Sequence, residues 1–299
     1  MSETIVALAG TPRGETLALI LALLSAFAHA AFGALQKGKH DPWLTRGAID
    51  ASLVLLALPI ALFAVPWPRG IEWAVLAGAA VIHFVYKLLI AMAYTRAAYT
   101  VVYPVVRGTG PVVTVLFAGL VFGEQFTALQ WLGVALVSGA ILSLSLVNLG
   151  RDVPDPRALR VGILLSLIGG VSVAAYTTYD AYGIRLTPDP FTFLAWFFVV
   201  TSLDFPVIAW IRRARMARPP ALGPLAARGV IGALVAFVSF GGVMLATRLD
   251  KVGEAAVLRE TSTVFAALIG WLVLREEIGP LRAALMILIA CGAVLVEIA

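Results

Sequence analysis

The sequence predicts an all-α membrane protein of ten transmembrane helices, arranged as two inverted five-helix repeats. Three observations carry that expectation: the composition, the spacing of the apolar runs, and an ungapped internal match. Hydrophobic residues make up 61% of the 299 positions and charged residues 13%, with a mean hydropathy of +0.97. A soluble domain carries about 25% charge, so too few polar residues are present to cover a water-facing surface. In lipid every backbone amide must be bonded within a helix or a closed barrel. Barrel strands alternate apolar and polar residues, whereas runs such as Val112–Phe122 and Leu129–Val147 are almost uninterrupted. Those runs read as helices.

A span needs roughly 20 apolar residues, and ten segments meet that length, near 16–37, 46–67, 71–95, 99–122, 127–148, 159–184, 190–211, 224–247, 253–274 and 279–298. The boundary between the third and fourth, around Arg96, is the tightest. Connectors are short and carry turn-forming residues: Asp41-Pro42, Pro66-Trp67-Pro68-Arg69, Pro154-Asp155-Pro156, Pro188-Asp189-Pro190 and Pro219-Pro220. Trp43, Trp67, Trp73, Trp131, Trp210 and Trp271 fall near span ends, where aromatic side chains anchor to the interface. The first dozen residues are too polar and short for a cleavable signal peptide, so the first span is expected to stay as an anchor. Basic residues collect in alternate loops, at Lys37, Lys39, Arg46, Arg96, Arg151, Arg157, Arg160, Arg212, Arg213, Arg215, Arg218 and Arg275. Those loops are expected on the cytoplasmic side, leaving both termini on the other.

The internal match is the most informative feature. Thr95–Leu129 aligns with Thr247–Leu281 at a constant offset of 152 residues without a gap. Thr95-Arg96 pairs with Thr247-Arg248, Arg107 with Arg259, Thr109 with Thr261, and Glu124 with Glu276. Charge is scarce here, so charged matches mean more than apolar ones. Residues 1–150 and 151–299 are therefore read as two five-span repeats forming one membrane unit. Five is odd, so the second copy enters the bilayer in the opposite sense. Inverted repeats place a shared site between halves that can rock against each other.

A charge inside a span costs at least about 2.5 kcal/mol and usually faces a cavity or a partner. The candidate substrate-binding residues are the polar and aromatic side chains within spans: His83, Tyr86 and Lys87; Tyr99 and Tyr103; Tyr176, Tyr179 and Asp180; and Trp196. His83, Tyr86 and Lys87 share one helix face, as do Tyr99, Tyr103 and Arg107, and Tyr176, Tyr179 and Asp180. The fork of an arginine suits a carboxylate. Arg107 and Arg259 recur in both halves, however, and one carboxylate needs only one of them, so both are read as gating or structural. Pro104, beside Tyr103, is the candidate hinge. Asp204 is a weaker candidate, His29 reads as packing, and Glu124 and Glu276 read as fold markers. Gly78, Gly133, Gly169-Gly170 and Gly241-Gly242 permit close helix approach.

The sequence also excludes chemistry. Cys291 alone forms no internal disulfide, and three histidines with one cysteine leave no zinc cluster. No His-Glu-x-x-His, paired intramembrane aspartate or Gly-x-Ser-x-Gly turn supports an intramembrane enzyme. The net charge of +5 sits in loops and does not imply nucleic acid. No cofactor is expected; the expected partners are a small-molecule substrate and membrane lipid, and the chain is read as a monomer.

Ala93-Tyr94-Thr95-Arg96 through Gly123-Glu124-Gln125, and Leu245-Ala246-Thr247-Arg248 through Arg275-Glu276-Glu277, are similar to the EamA-like branch of the drug/metabolite transporter superfamily. His83 and Tyr86 of the third span are similar to its aromatic amino-acid exporters. The arginine-rich 212–218 segment departs from that pattern. The resemblance implies secondary transport that exports amino acids or similar small metabolites across the bacterial inner membrane by alternating access. A facilitative, channel-like permease is the alternative.

Overall fold

The computed structural model describes residues 2–36, 41–97, 99–149, 155–272 and 279–299. Lys37, Lys39, Arg151, Arg275, Glu276 and Glu277 lie outside the described residues, and so does the side chain of Tyr99. The described residues form helices joined by short turns, without a strand. A short N-terminal helix, α1 (Ser2–Leu8), precedes α2 (Pro12–Gln36), α3 (Pro42–Phe63), α4 (Ile71–Tyr94), α5 (Tyr99–Phe122) and α6 (Ala128–Leu149). The second half contains α7 (Pro156–Leu186), α8 (Pro190–Thr201), α9 (Asp204–Ala214), α10 (Leu222–Leu249), α11 (Val252–Arg259), α12 (Ser262–Leu272) and α13 (Pro280–Ile298). Among the described residues, eight segments are long and apolar enough to cross a membrane, with α8 and α9 counted as one.

Large apolar side chains are exposed while several charged ones are buried. Phe63 and Leu120 are 86% and 82% exposed, whereas Asp50, His83, Lys87, Arg107, Asp180, Arg259 and Glu260 are all buried. This is the arrangement that lipid as solvent demands.

Segment starts are set by capping side chains followed by proline. Asp41, Asp155 and Asp189 each accept hydrogen bonds from the second and third backbone N–H groups of the helix they open, with proline at the first position. Thr11 before Pro12 does the same for α2, accepting from Gly14 N at 3.1 Å. The caps recur in register: Thr11-Pro12 and Asp155-Pro156 open the first segment of each half, Asp41-Pro42 and Asp189-Pro190 the second.

Two segments differ from the expectation of continuous spans. The seventh is broken at Ser202-Leu203, where the ring of Pro206 would meet the carbonyl of Ser202 in a continuous helix. The ninth is broken at Glu260-Thr261 without any proline. Its repeat mate α5 runs unbroken through Pro104 and Pro111. Broken segments leave backbone carbonyls and amides that need partners away from lipid, and those partners build the site described below.

Packing follows a two-fold rule. With α8–α9 and α11–α12 each counted as one segment, α2 packs on α10 and its counterpart α7 on α4. Likewise α5 packs on α7 as α12 packs on α2, and α3 packs on α10 as α8 packs on α4. The pairs α6–α13 and α3 with α8–α9 map onto themselves. Where α6 meets α13 the backbones touch: a Cβ on Gly133 would lie 2.6 Å from the Gly292 carbonyl oxygen, and one on Gly292 would lie 2.7 Å from that of Gly133. Gly78 likewise makes room for the Tyr179 hydroxyl between α4 and α7, which a Cβ there would overlap.

Candidate functional site

The breaks and the buried charges meet between the halves. At the first break, Lys87 of α4 donates to the Thr201 carbonyl at 2.6 Å, one of the orphan carbonyls at the end of α8. The same ammonium reaches Asp50 of α3 and Asp204 at the start of α9, both at 2.8 Å. Asp50 is held from its other oxygen by Arg46 at 2.9 Å. One cation thus joins the two halves, with every donor of the Lys87 ammonium occupied. Beyond it, toward the ends of the same elements, Asp41 pairs with Arg212 at 2.8 Å. Burial alone would raise the Asp41 carboxyl, but the Arg212 hydrogen bond and the N–H groups of Leu44 and Trp43 hold it below the usual aspartate range.

At the second break, Arg107 of α5 supplies what the missing helical bonds do not. Its Nε pairs with Glu260 at 3.0 Å, and its Nη2 donates to Ser262 Oγ at 2.7 Å and to the Arg259 carbonyl at 3.4 Å. A guanidinium at the C-terminal end of α11 also meets the negative end of that helix dipole. Tyr103, on the same face of α5, lies beneath Arg107 with its ring centre 5.9 Å away.

Between these two clusters His83 Nε2 pairs with Asp180 Oδ2 at 2.8 Å, again joining first half to second. Tyr176 packs on the His83 ring at 4.6 Å and Phe197 at 5.0 Å, with Tyr86 against Tyr176 at 5.0 Å. Two narrow cavities lie on either side of this pair. The first is lined by Arg46, His83, Lys87, Phe197, Thr201 and Phe240. The second is lined by Tyr176, Asp180, Phe240, Met244, Thr247 and Arg259. Phe240 lines both, and the His83–Asp180 pair contributes one member to each. Arg259 places its guanidinium 4.7 Å from the Phe240 ring centre, while its Nε and Nη2 have no hydrogen-bond partner among the described residues.

Of the residues singled out from sequence, His83, Lys87, Tyr176, Asp180 and Arg259 line these cavities, and Tyr86, Tyr103 and Arg107 pack beside them. Trp196 belongs to an aromatic cluster with Trp67 and Trp73, at 5.0 and 4.9 Å. Tyr179 rests on Gly78. Pro104 lies inside the unbroken α5. His29 is close to Ser239 at 3.4 Å. Asp50 escaped the sequence reading, although an aspartate within an apolar run is itself the signal. Phe240 and Thr201 carried no signal, since one acts as a partition and the other through its carbonyl.

Glu124 has a physical role. Gly123 adopts φ +68°, ending α5 with its own N–H and that of Glu124 turned back onto the Gly119 and Ala118 carbonyls. That turn carries the Glu124 carboxylate to the start of α11, where it accepts from Val252 N at 2.7 Å and Gly253 N at 3.0 Å. A carboxylate there is favoured by the positive end of the helix. Arg185 lies 3.7 Å from Glu124 and donates to the carbonyls of Thr247 and Asp250 at the end of α10.

A duplicated helical membrane fold, with charges buried between its halves and helices broken beside them, suits a transporter of small molecules. The EamA-like transporter family model matches the chain twice, over residues 16–146 and 160–298, and the chain belongs to that family. Among solved structures, one crystal structure is similar with a TM-score of 0.75 at 15% identity, covering 94% of this chain and 98% of its own. That likeness speaks to fold alone. The search of curated proteins returned no match.

Proposed function

We propose that the chain is a secondary transporter that exports amino acids or similar small metabolites across the bacterial inner membrane by alternating access. One observation carries the reading: three ionic contacts inside the bundle, Lys87–Asp204, His83–Asp180 and Arg107–Glu260, each join a first-half residue to a second-half residue. Rocking the halves apart must exchange these contacts for water or solute, which couples access to occupancy. The Lys87 cluster closes one end of the path, and the Glu124–Arg185 contacts close the other. The basic loops lie on the cytoplasmic side and both termini on the opposite one.

The test is flux in proteoliposomes over a panel of amino acids and other small metabolites, with and without an imposed pH gradient. Saturable flux with counterflow is expected. Linear, non-saturating flux would replace the carrier with a channel, and no flux of any solute in the panel would remove the reading.

A further inference from the structure

Arg212, Arg213, Arg215 and Arg218 fall within seven residues at the end of α9. Arg213 donates to the Pro220 carbonyl at 3.3 Å, and Arg212 holds Asp41 at 2.8 Å. Arg212 is still half exposed, and the Arg215 guanidinium has no ion-pair or hydrogen-bond partner among the described residues. Together with Trp43, Ile208, Ile211 and Met216, these two arginines line a groove of about 500 Å³, far roomier than the cavities beside His83. Topology alone asks for positive charge in a loop but not for a groove.

The groove has the polarity of a phospholipid. Leu203, Val207, Trp210 and Ile211 are exposed along one face of α9, and Arg212 and Arg215 follow within about one turn. Acyl chains laid along that face meet apolar side chains first and guanidinium groups just beyond. The charged end is braced from behind. Arg212 lies 6.0 Å from the Trp43 ring centre, Trp43 stacks on Phe205 at 5.6 Å, and Lys87 Nζ lies 5.2 Å from the Phe205 ring centre. That column joins the groove to the Lys87 cluster, so an occupied groove steadies the contact of α3 with α9.

We propose that this groove is a binding site for an anionic phospholipid, with its phosphate on Arg212 and Arg215 and its acyl chains against Ile208, Ile211 and Trp43. The arginine fork matches phosphate oxygens, and basic pockets between spans suit anionic head groups. A zwitterionic lipid would bring its own cation against the arginines, so net negative charge is required.

The experiment follows thermal unfolding of the purified full chain in detergent as phosphatidylglycerol, phosphatidylcholine with the same acyl chains, or inorganic phosphate is added. Phosphatidylglycerol is expected to raise the unfolding temperature saturably. Phosphatidylcholine is expected to need at least about fivefold more, and inorganic phosphate to have no effect. Arg215→Gln, at an exposed position, is expected to raise the half-saturating phosphatidylglycerol concentration about 5- to 10-fold. Arg160→Gln, exposed at the start of α7, is expected to leave it unchanged. Equal stabilisation by phosphatidylcholine or by inorganic phosphate, or none by phosphatidylglycerol, overturns the proposal. Equal shifts in the two variants also overturn it, because they reduce the effect to diffuse attraction toward a basic surface. The transporter reading is tested by flux and does not depend on these outcomes.

Discussion

Arg107 and Arg259 occupy the same position in the two repeats and have opposite surroundings. Arg107 is bound by Glu260, Ser262 and the Arg259 carbonyl, whereas the Arg259 head group has an aromatic face beneath it and two donor nitrogens unpaired. The difference follows from the helices that carry them. The second-half segment is broken just after Arg259, and the first-half arginine fills that break. Duplication thus supplied a symmetric frame, and one break within it makes the two arginines unlike.

The largest effect separating the two is expected from Arg107→Ala. It strands Glu260 in the interior, and removing one partner of a buried pair costs about 3–5 kcal/mol. Unfolding of the purified protein in detergent checks it, and Arg107→Ala/Glu260→Ala should lose less than the sum of the single variants. An additive result would break the comparison by showing that the pair is not a unit.

Next comes Lys87→Met, which unpairs Asp50 and Asp204 at the first break. A loss of about 3 kcal/mol is expected in the same unfolding assay, with Ser202→Cys in that background labelling faster than in the parent because the end of the path loosens. Unchanged labelling would leave Lys87 as a packing charge alone.

A third test probes a place where symmetry is kept. Gly133 and Gly292 each rest on the other's carbonyl, so Gly133→Ala and Gly292→Ala should destabilise alike, by about 1–3 kcal/mol each from overpacking. Unequal losses would show that the two-fold fails even at the α6–α13 contact.

The smallest effect concerns Asp41 and Asp189, which cap equivalent helices with different partners. Asp189 accepts from Ser2, while Asp41 holds Arg212 and has its carboxyl lowered below the ordinary range. A depressed carboxyl contributes stability that is present above its unfolded value and lost as pH falls through the folded one. Stability should therefore decline below about pH 4, by less than about 1 kcal/mol because Arg212 is half exposed. Asp41→Asn should flatten that part of the pH–stability curve; an unchanged curve would remove the pair from the account.

Much of this frame was legible in the chain. The ungapped match at an offset of 152 singles out Arg107, Arg259 and Glu124. Early in each half the echo is weak by identity, yet Thr11-Pro12, Asp41-Pro42, Asp155-Pro156 and Asp189-Pro190 carry it as caps. Apolar positions drift freely in lipid, while a capping oxygen followed by proline does not. The break in the ninth segment was not legible, because it depends on Arg107 reaching across from α5. Nor was the division of labour between the arginines, since identical residues in matching sequence give no sign of which will be bonded. Asp50 stands close to the start of its span, where an aspartate reads as a loop residue.

The contrast between the repeat mates is tested most directly by measuring the unfolding temperature of Arg107→Gln and Arg259→Gln side by side. A large fall is expected for Arg107→Gln, which strands Glu260, and a nearly unchanged unfolding temperature for Arg259→Gln, whose Nε and Nη2 have no hydrogen-bond partner among the described residues. Equal thermal losses in the two variants would contradict it.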